Sequence, residues 1–174
     1  MLISDYYRAQ NRELHRRRPD YGAGQATAHW VPTIARLANA VGAESILDYG
    51  CGKGRLKRAL ATHGLDLRVR EYDPSIPGND GTPAPADLVV CTDVLEHVEP
   101  ECLETVIGDL RRVTRKAGFV TVATRPAKKL LPDGRNAHLI VEPMEWWLQR
   151  LWRGFALETL SNGGGEFMLV LTPR

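Results

Sequence analysis

Hydrophobic and polar positions along this chain follow two periods, and the changes between them mark out its elements. Ile3, Tyr7 and Leu14 fall near one helical face while Arg8, Arg12 and Arg16 line another, which predicts a helix over residues 3–17. Arg16-Arg17-Arg18-Pro19 ends it, because a proline disfavours the helical conformation in the residue before it. Tyr21-Gly22-Ala23-Gly24 reads as a loop. Trp30, Ile34, Leu37, Ala38 and Val41 form the apolar stripe of a second helix over about 27–41, with Pro32 placed in its first turn and Gly42 just past its end.

A short apolar strand, Ser45 to Tyr49, then runs into a glycine-rich turn and a helix that buries Leu56, Ala59 and Leu60 and stops near Gly64. Leu65, Leu67 and Val69 alternate with Asp66, Arg68 and Arg70, the period of a strand with one wet face, ending at Glu71-Tyr72-Asp73-Pro74. Residues 74–86 carry four prolines and two glycines and read as loop. Asp87-Leu88-Val89-Val90-Cys91 is the near-continuous apolar run of a central parallel strand. A helix over about 101–115 buries Leu103, Val106, Ile107, Leu110 and Val113, and Lys116-Ala117-Gly118 turns into a strand over 119–124. Residues 125–136, with the turn Pro132-Asp133-Gly134, are a lid, a substrate loop or a long connection. A helix over 143–153 carries Met144, Trp147, Leu148, Leu151 and Trp152, and strands over 155–160 and 166–172 flank the hairpin signal Asn162-Gly163-Gly164-Gly165. Strand–helix alternation closed by a hairpin predicts an α/β fold with an open, mostly parallel sheet and ligands at the carboxyl ends of its strands.

Composition narrows this little. The chain's 174 residues suffice for one domain with a full core, so 1–174 is expected as a single domain, with 1–26 its basic N-terminal helix and loop. A net charge of +2 argues neither for nor against a nucleic-acid partner. No apolar run approaches the ~20 residues of a membrane span, and Met1-Leu2-Ile3-Ser4-Asp5-Tyr6 lacks the basic and apolar regions of a secretory signal. Cys51, Cys91 and Cys102 are odd in number and lack Cys-x-x-Cys spacing, so a cytoplasmic setting is expected.

Two stretches carry candidate chemistry. In the first, Gly50, Gly52 and Gly54 remove side chains where the backbone turns tightly and a ligand approaches, and the next helix points its free N–H groups there. Asp48 precedes the first glycine by two residues. A carboxylate at that strand tip would repel a pyrophosphate but attract the sulfonium and ammonium of S-adenosylmethionine; the alternative is an aspartate that only caps the turn. An acidic residue about 20 positions beyond such a turn is placed to take two ribose hydroxyls. Asp73 is the choice there, with Glu71 as alternative, and a turn-forming Asp-Pro as the purely structural account.

The second stretch is Thr92-Asp93-Val94-Leu95-Glu96-His97-Val98-Glu99-Pro100. Displacement at a sulfonium carbon needs oriented reactants, excluded water and, for an oxygen nucleophile, a base. His97 stands where such a base belongs; alternatively Glu96 and His97 hold the loop by hydrogen bonds. Asp93, Glu96 and His97 at i, i+3 and i+4 would share one face of a helical turn. With His138 they would make a carboxylate–imidazole set suited to magnesium, manganese or zinc. The arginines of the first helix are either a solvated face or a contact for an anionic substrate. Of Trp146, Trp147 and Trp152, one reaches an acceptor pocket or all serve packing.

These residues resemble a known family. Ile46-Leu47-Asp48-Tyr49-Gly50-Cys51-Gly52-Lys53-Gly54 is similar to the first motif of the class I S-adenosylmethionine-dependent methyltransferases. Glu71-Tyr72-Asp73 resembles the acidic tip of their second strand, and the stretch from Asp87 to Val98 their fourth-strand motif. The resemblance implies a Rossmann-like sheet with S-adenosylmethionine held by Asp48, Tyr49, Gly50, Cys51, Gly52, Asp73, Thr92 and Asp93, Thr92 lying near the methionine portion. It further implies a small-molecule acceptor with an oxygen or nitrogen nucleophile, since no appended RNA- or protein-binding module is visible. One departure stands out. The family places a helix and a third strand between the acidic tip and the fourth strand, where this chain has only residues 74–86. The third strand is therefore expected to be missing, strand two to lie at the sheet edge, and the loop around Asn79-Asp80-Gly81 to close the adenine pocket. The spacing of Asp93, Glu96 and His97 also resembles the Glu-x-x-Glu-His of metal-dependent O-methyltransferases acting on quinone precursors and RNA 3′ ends. With the basic first helix, this keeps RNA 2′-O-methylation open as an alternative. A non-catalytic S-adenosylmethionine-binding protein is another, and a nicotinamide-dependent reductase a third, against which Asp48 speaks.

Overall fold

The computed structural model describes residues 1–174, apart from the side chains of Gln25 and Ala26. Its strands are β1 (Ser45–Tyr49), β2 (Arg68–Tyr72), β3 (Ala86–Thr92), β4 (Thr114–Ala123), β5 (Phe155–Asn162) and β6 (Glu166–Pro173). Its helices are α1 (Asp5–Arg17), α2 (Gln25–Ala40), α3 (Leu56–Ala61), α4 (Leu103–Val113) and α5 (Met144–Leu151). The strands form one six-stranded sheet in the order β2-β1-β3-β4-β6-β5. β1 to β4 are parallel, and β6 runs antiparallel to both β4 and β5.

Side-chain alternation sends each strand's residues to two separate cores. On one face Ile46, Leu88, Val90 and Phe119 pack under Val31, Ile34 and Ala38 of α2 and Leu56 and Leu60 of α3. On the other, Leu47, Val89, Val120 and Leu169 meet Leu103, Val106, Ile107, Leu110 and Val113 of α4 and Trp147 and Leu151 of α5. Both faces being covered, β1 and β3 are buried at every position, as parallel strands require. The apolar side chains of α4 contribute about 1.5–3 kcal/mol each by burial. The third, smaller cluster joins Ile3, Tyr7 and Leu14 of α1 to Tyr21, Leu131 and Ala137. α1 lies across the carboxyl ends of the strands, where this cluster forms.

Among the described residues no strand stands between β2 and β3, and β2 forms one edge of the sheet. The loop between β2 and β3 is tied back to the edge by the Arg70 guanidinium, which donates to the Pro85 carbonyl at 2.6 Å.

Three local expectations are corrected. β2 begins at Arg68, because Leu65 and Leu67 pack against the α2–α3 core without pairing to β1. β4 begins at Thr114, so Lys116-Ala117-Gly118 is strand rather than turn, with Ala117 and Gly118 opposite Leu88 and Val89. Pro32 lies inside α2, beyond its first turn. No described helix is long and apolar enough to cross a membrane.

Candidate active site

The carboxyl ends of β1, β2 and β3 open into a cavity of about 380 Å³, which α1, the Tyr21–Gly24 loop and the segment after β4 enclose. That size suits a nucleoside-sized ligand. α1 is seated over the cavity by contacts far apart in sequence. Ser4 caps it by accepting the Tyr7 N–H at 3.1 Å, and its own N–H and hydroxyl donate to the Glu99 carboxylate at 2.7 and 2.6 Å. Arg12 donates to the Ser75 carbonyl at 3.2 Å and pairs with Asp80 at 3.1 Å. Arg16 and Arg17 pair with Glu13, and Arg8 with Asp5. These arginines are engaged in ion pairs within the chain.

The glycine turn is filled from two sides by protein. Gly22 accepts the Lys53 N–H at 2.9 Å. A Cβ on Gly52, whose φ is +52°, would stand 2.6 Å from that Gly22 oxygen. A Cβ on Gly50 would stand 2.4 Å from Val94. These glycines therefore admit neighbouring parts of the chain, while Gly50 and Gly52 also line the cavity.

Asp73 lines the cavity at the tip of β2. Its carboxylate accepts the Gly52 N–H at 3.1 Å and the Ser75 N–H at 2.8 Å. Burial raises its pKa, and these two bonds and the nearby His15 oppose the rise. Glu71, the alternative, sits against Gly54 and away from the cavity lining. Asp48 is buried beneath the turn and does not reach the cavity wall. Burial first, then the charges of Glu71 and Asp73, push its pKa up to about 7.

The other expected cofactor residues are placed as follows. Tyr49 forms part of the wall, but its hydroxyl is turned to Asp109, donating at 3.0 Å. Cys51 lines the cavity, its sulfur accepting from Asn79 at 3.4 Å, and burial holds its thiol protonated. Asn79 and Asp80 thus close the β2 side from behind, with the Asp73 N–H donating to the Asn79 carbonyl at 3.0 Å. The Thr92 hydroxyl is shared with that of Thr27 at 2.7 Å. Asp93 takes a left-handed conformation, φ +54°, which aspartate tolerates better than most residues. Its carboxylate accepts from the Thr121 hydroxyl at 3.2 Å, and burial, then Glu166, raises its pKa.

The turn after β3 is not the helical turn that a shared metal face requires. Only Leu95–His97 form a turn of 3-10 helix, and Asp93 stands outside it. Glu96 points into the interior, fully buried, where Oε1 accepts the Ala123 N–H at 2.8 Å and Oε2 has no partner. Burial first, then Asp93, push its pKa up to about 8. His97 faces the cavity. The proposed ligands thus diverge, and the described residues hold no group of three such side chains arranged for a metal ion.

His97 is locked in one tautomer. Its Nδ1 stands 2.7 Å from the Ala137 carbonyl, which can only accept, so Nδ1 carries the proton and Nε2 the lone pair. Burial lowers its pKa to about 3, so the ring is neutral at ordinary pH. His138, 2.6 Å from the Arg125 carbonyl through Nδ1, meets the His97 ring edge-on at 4.7 Å between centroids. Trp147 is core, Trp146 stacks under the Arg150 guanidinium at 3.3 Å, and Trp152 is exposed; none of them lines the cavity. Among the lining residues that sequence reasoning left out, Tyr7, Asn11 and His15 come from α1. Their spacing of i, i+4 and i+8 on one helical face was the available signal.

A family model described as a methyltransferase domain matches residues 15–160, well over half of the chain. The chain belongs to this methyltransferase family. No curated protein matches the methyltransferase in sequence. Among solved structures it is similar to the 1,6-didemethyltoxoflavin-N1-methyltransferase of Burkholderia thailandensis, with bound 1,6-didemethyltoxoflavin and S-adenosylhomocysteine. That match has a TM-score of 0.68 at 18% identity and covers 100% of this chain and 92% of the other. It is similar also to DhpI in complex with S-adenosylhomocysteine, with a TM-score of 0.62 at 20% identity over 97% and 93% of the two chains. The N-methyltransferase NodS of Bradyrhizobium japonicum WM9, in complex with the same compound, gives 0.61 at 17% over 98% and 100%. At these identities the likeness is one of fold, and the methyltransferase shares their α/β sheet.

Proposed function

We propose that residues 1–174 act as one unit that transfers the methyl group of S-adenosylmethionine to an oxygen or nitrogen of a small-molecule acceptor. The observation that carries this is the cavity with Asp73 and His97 on its wall. The residues fit the cofactor. Asp73 is oriented by two backbone N–H bonds, and each carboxylate oxygen retains a lone pair for a ribose hydroxyl. A bound sulfonium would favour the ionised form of Asp48 beneath the turn, whose pKa burial pushes up to about 7, where a phosphate would oppose it. When bound, S-adenosylmethionine supplies an electrophilic methyl group on sulfur. The Gly50-Cys51-Gly52 backbone would hold its methionine portion, with Thr92 and Asp93 alongside. His97, through Nε2, would take the proton of the acceptor, and α1 would exclude water. The small-molecule acceptor is favoured by the fold likeness to an enzyme bound to 1,6-didemethyltoxoflavin. A cytoplasmic setting agrees with the free thiols of Cys51, Cys91 and Cys102.

Calorimetric titration tests the proposal. S-adenosylhomocysteine should bind the wild type, NADH should not, and Asp73→Ala should weaken the first by at least about tenfold, as loss of a charged hydrogen-bonding partner does. Absence of S-adenosylhomocysteine binding would overturn the proposal. Acceptor screening with and without a chelator then asks which atom is methylated.

A further inference from the structure

His97 and His138 meet edge-on on the cavity wall, with 4.7 Å between ring centroids and 88° between ring planes. His138 is bound at Nδ1 as His97 is. The Arg125 carbonyl, 2.6 Å away, can only accept, so Nδ1 carries the proton and Nε2 the lone pair. Neither Nε2 has a hydrogen-bond partner among the described residues, and neither is closed off from solvent. The wall therefore presents two neighbouring lone pairs.

Both rings are held by the segment that follows β4. Ala137, whose carbonyl fixes His97, donates its own N–H to the Lys129 carbonyl at 3.0 Å. The His138 N–H donates to Asn136 Oδ1 at 2.9 Å, and the Asn136 amide also bonds the Ala127 N–H and carbonyl at 2.9 and 3.0 Å. Leu131 packs with Ile3, Tyr7 and Leu14 of α1, and Tyr21 meets the His97 ring edge-on at 5.8 Å. The two imidazoles are thus fixed before any ligand enters, which lowers the cost of binding one.

The nearby cations do not fill the lone pairs. Lys129 is paired with Asp20 at 2.9 Å. The Arg125 side chain lies against the β5–β6 turn, where a Cβ on Gly165 would stand 3.4 Å from its Cδ. Burial above all, with Arg125 beside His138 and Lys129 near His97, disfavours positive charge at the rings, and so disfavours a cationic ligand. A carboxylate or an ether would set lone pair against lone pair. A neutral group with O–H or N–H donors fits.

We infer that His138 is a second acceptor-binding residue, and that with His97 it selects a neutral small molecule bearing two neighbouring O–H or N–H donors, one of them the nucleophile. The inference rests on the methyl transfer proposed above. The nucleophile's proton passes to His97 Nε2 as its lone pair bonds the methyl carbon, and the S–C bond breaks with its electron pair left on sulfur. The second donor stays bonded to His138, which acts as a positioning residue. Methylation removes one donor of the pair, so the product is held less tightly than the acceptor.

The test titrates the protein, saturated with S-adenosylhomocysteine, with catechol, 2-methoxyphenol and 1,2-dimethoxybenzene, which carry two, one and no donors on the same ring. Wild type should bind catechol about fivefold more tightly than 2-methoxyphenol, and 1,2-dimethoxybenzene more weakly again. His138→Phe should lose the preference for catechol. His138→Gln, whose side-chain carbonyl restores an acceptor, should recover it in part. S-adenosylhomocysteine affinity should be the same in all three proteins, and its loss in His138→Phe would assign the residue a structural role and overturn the inference. Equal binding of catechol and 2-methoxyphenol by wild type, binding of neither, a preference that survives in His138→Phe, or no recovery in His138→Gln would also overturn it, while the cofactor proposal stands. A wild type that does not bind S-adenosylhomocysteine overturns both.

Discussion

Glu96 gives the sharpest quantitative prediction. It is fully buried beside the end of β4, its Oε1 fixed by the Ala123 N–H at 2.8 Å and its Oε2 without a partner. Burial, reinforced by Asp93, moves its pKa from 4.5 to about 8. A carboxyl that holds its proton more tightly when folded stabilises the fold below its unfolded pKa, and that advantage is lost as pH rises through the folded value. The window therefore runs from 4.5 to about 8. At ~1.4 kcal/mol per tenfold change in acidity the full effect is about 5 kcal/mol, and relaxation around the charge reduces the observable part to about 2–3 kcal/mol. Glu96→Gln keeps the acceptor and the volume but cannot ionise. Thermal melting of both proteins from pH 5 to pH 9 should show the variant gaining on the wild type by roughly 5–10 °C as pH rises. Asp48 titrates equally in both and cancels in the difference. A difference that stays flat across this range would mean that Glu96 is charged throughout, and would refute the reasoning.

Three further outcomes are expected. His97→Asn should lower turnover by about 10²- to 10⁴-fold with little change in S-adenosylhomocysteine affinity. The wild-type rate should show no acidic limb near pH 6.5, because the ring stays neutral down to about 3; such a limb would argue against His97 as the base. Gly52→Ala should destabilise by about 2–4 kcal/mol in denaturant titration, since it adds left-handed strain to a clash with the Gly22 carbonyl. An undiminished midpoint would show that the Tyr21–Gly24 loop is not held against the turn. Trp147→Ala should cost about 3–5 kcal/mol. Trp147→Phe should cost clearly less, because it keeps most of the buried ring volume while losing only an indole N–H that is buried without a partner; equal losses in the two would contradict this.

The fold was legible because its signals are local. Strand β1, the glycine turn, the apolar run of β3 and the five buried positions of α4 follow from periodicity, and the shortness of residues 74–86 sufficed to predict the missing strand and the β2 edge. Boundaries were less legible where tertiary contacts decide them. Leu65 and Leu67 alternate like strand residues but pack against helices. Lys116-Ala117-Gly118 has turn composition, yet β3 supplies pairing partners for Ala117 and Gly118. Within the candidate site, Asp73 and His97 could be read from spacing. The direction of Glu96 could not, since it depends on Ala123 reaching across from another strand. The role of α1 was hidden for the same reason, as Ser4, Arg12 and Tyr6 find their partners at Glu99, Asp80 and Asp133.

The edge at β2 bears on how copies of this chain meet one another. A parallel sheet that ends one strand early leaves a row of backbone donors and acceptors open, a template on which another chain can add and aggregation can begin. β2 is short, carries Arg68 and Arg70 at alternate positions, and is bound to its own loop through Arg70 and Pro85. Two copies approaching edge to edge would bring guanidinium against guanidinium before any backbone bond could form. The charge that marks this strand as half-wet thus also guards it, and the fold can omit a strand without becoming adhesive.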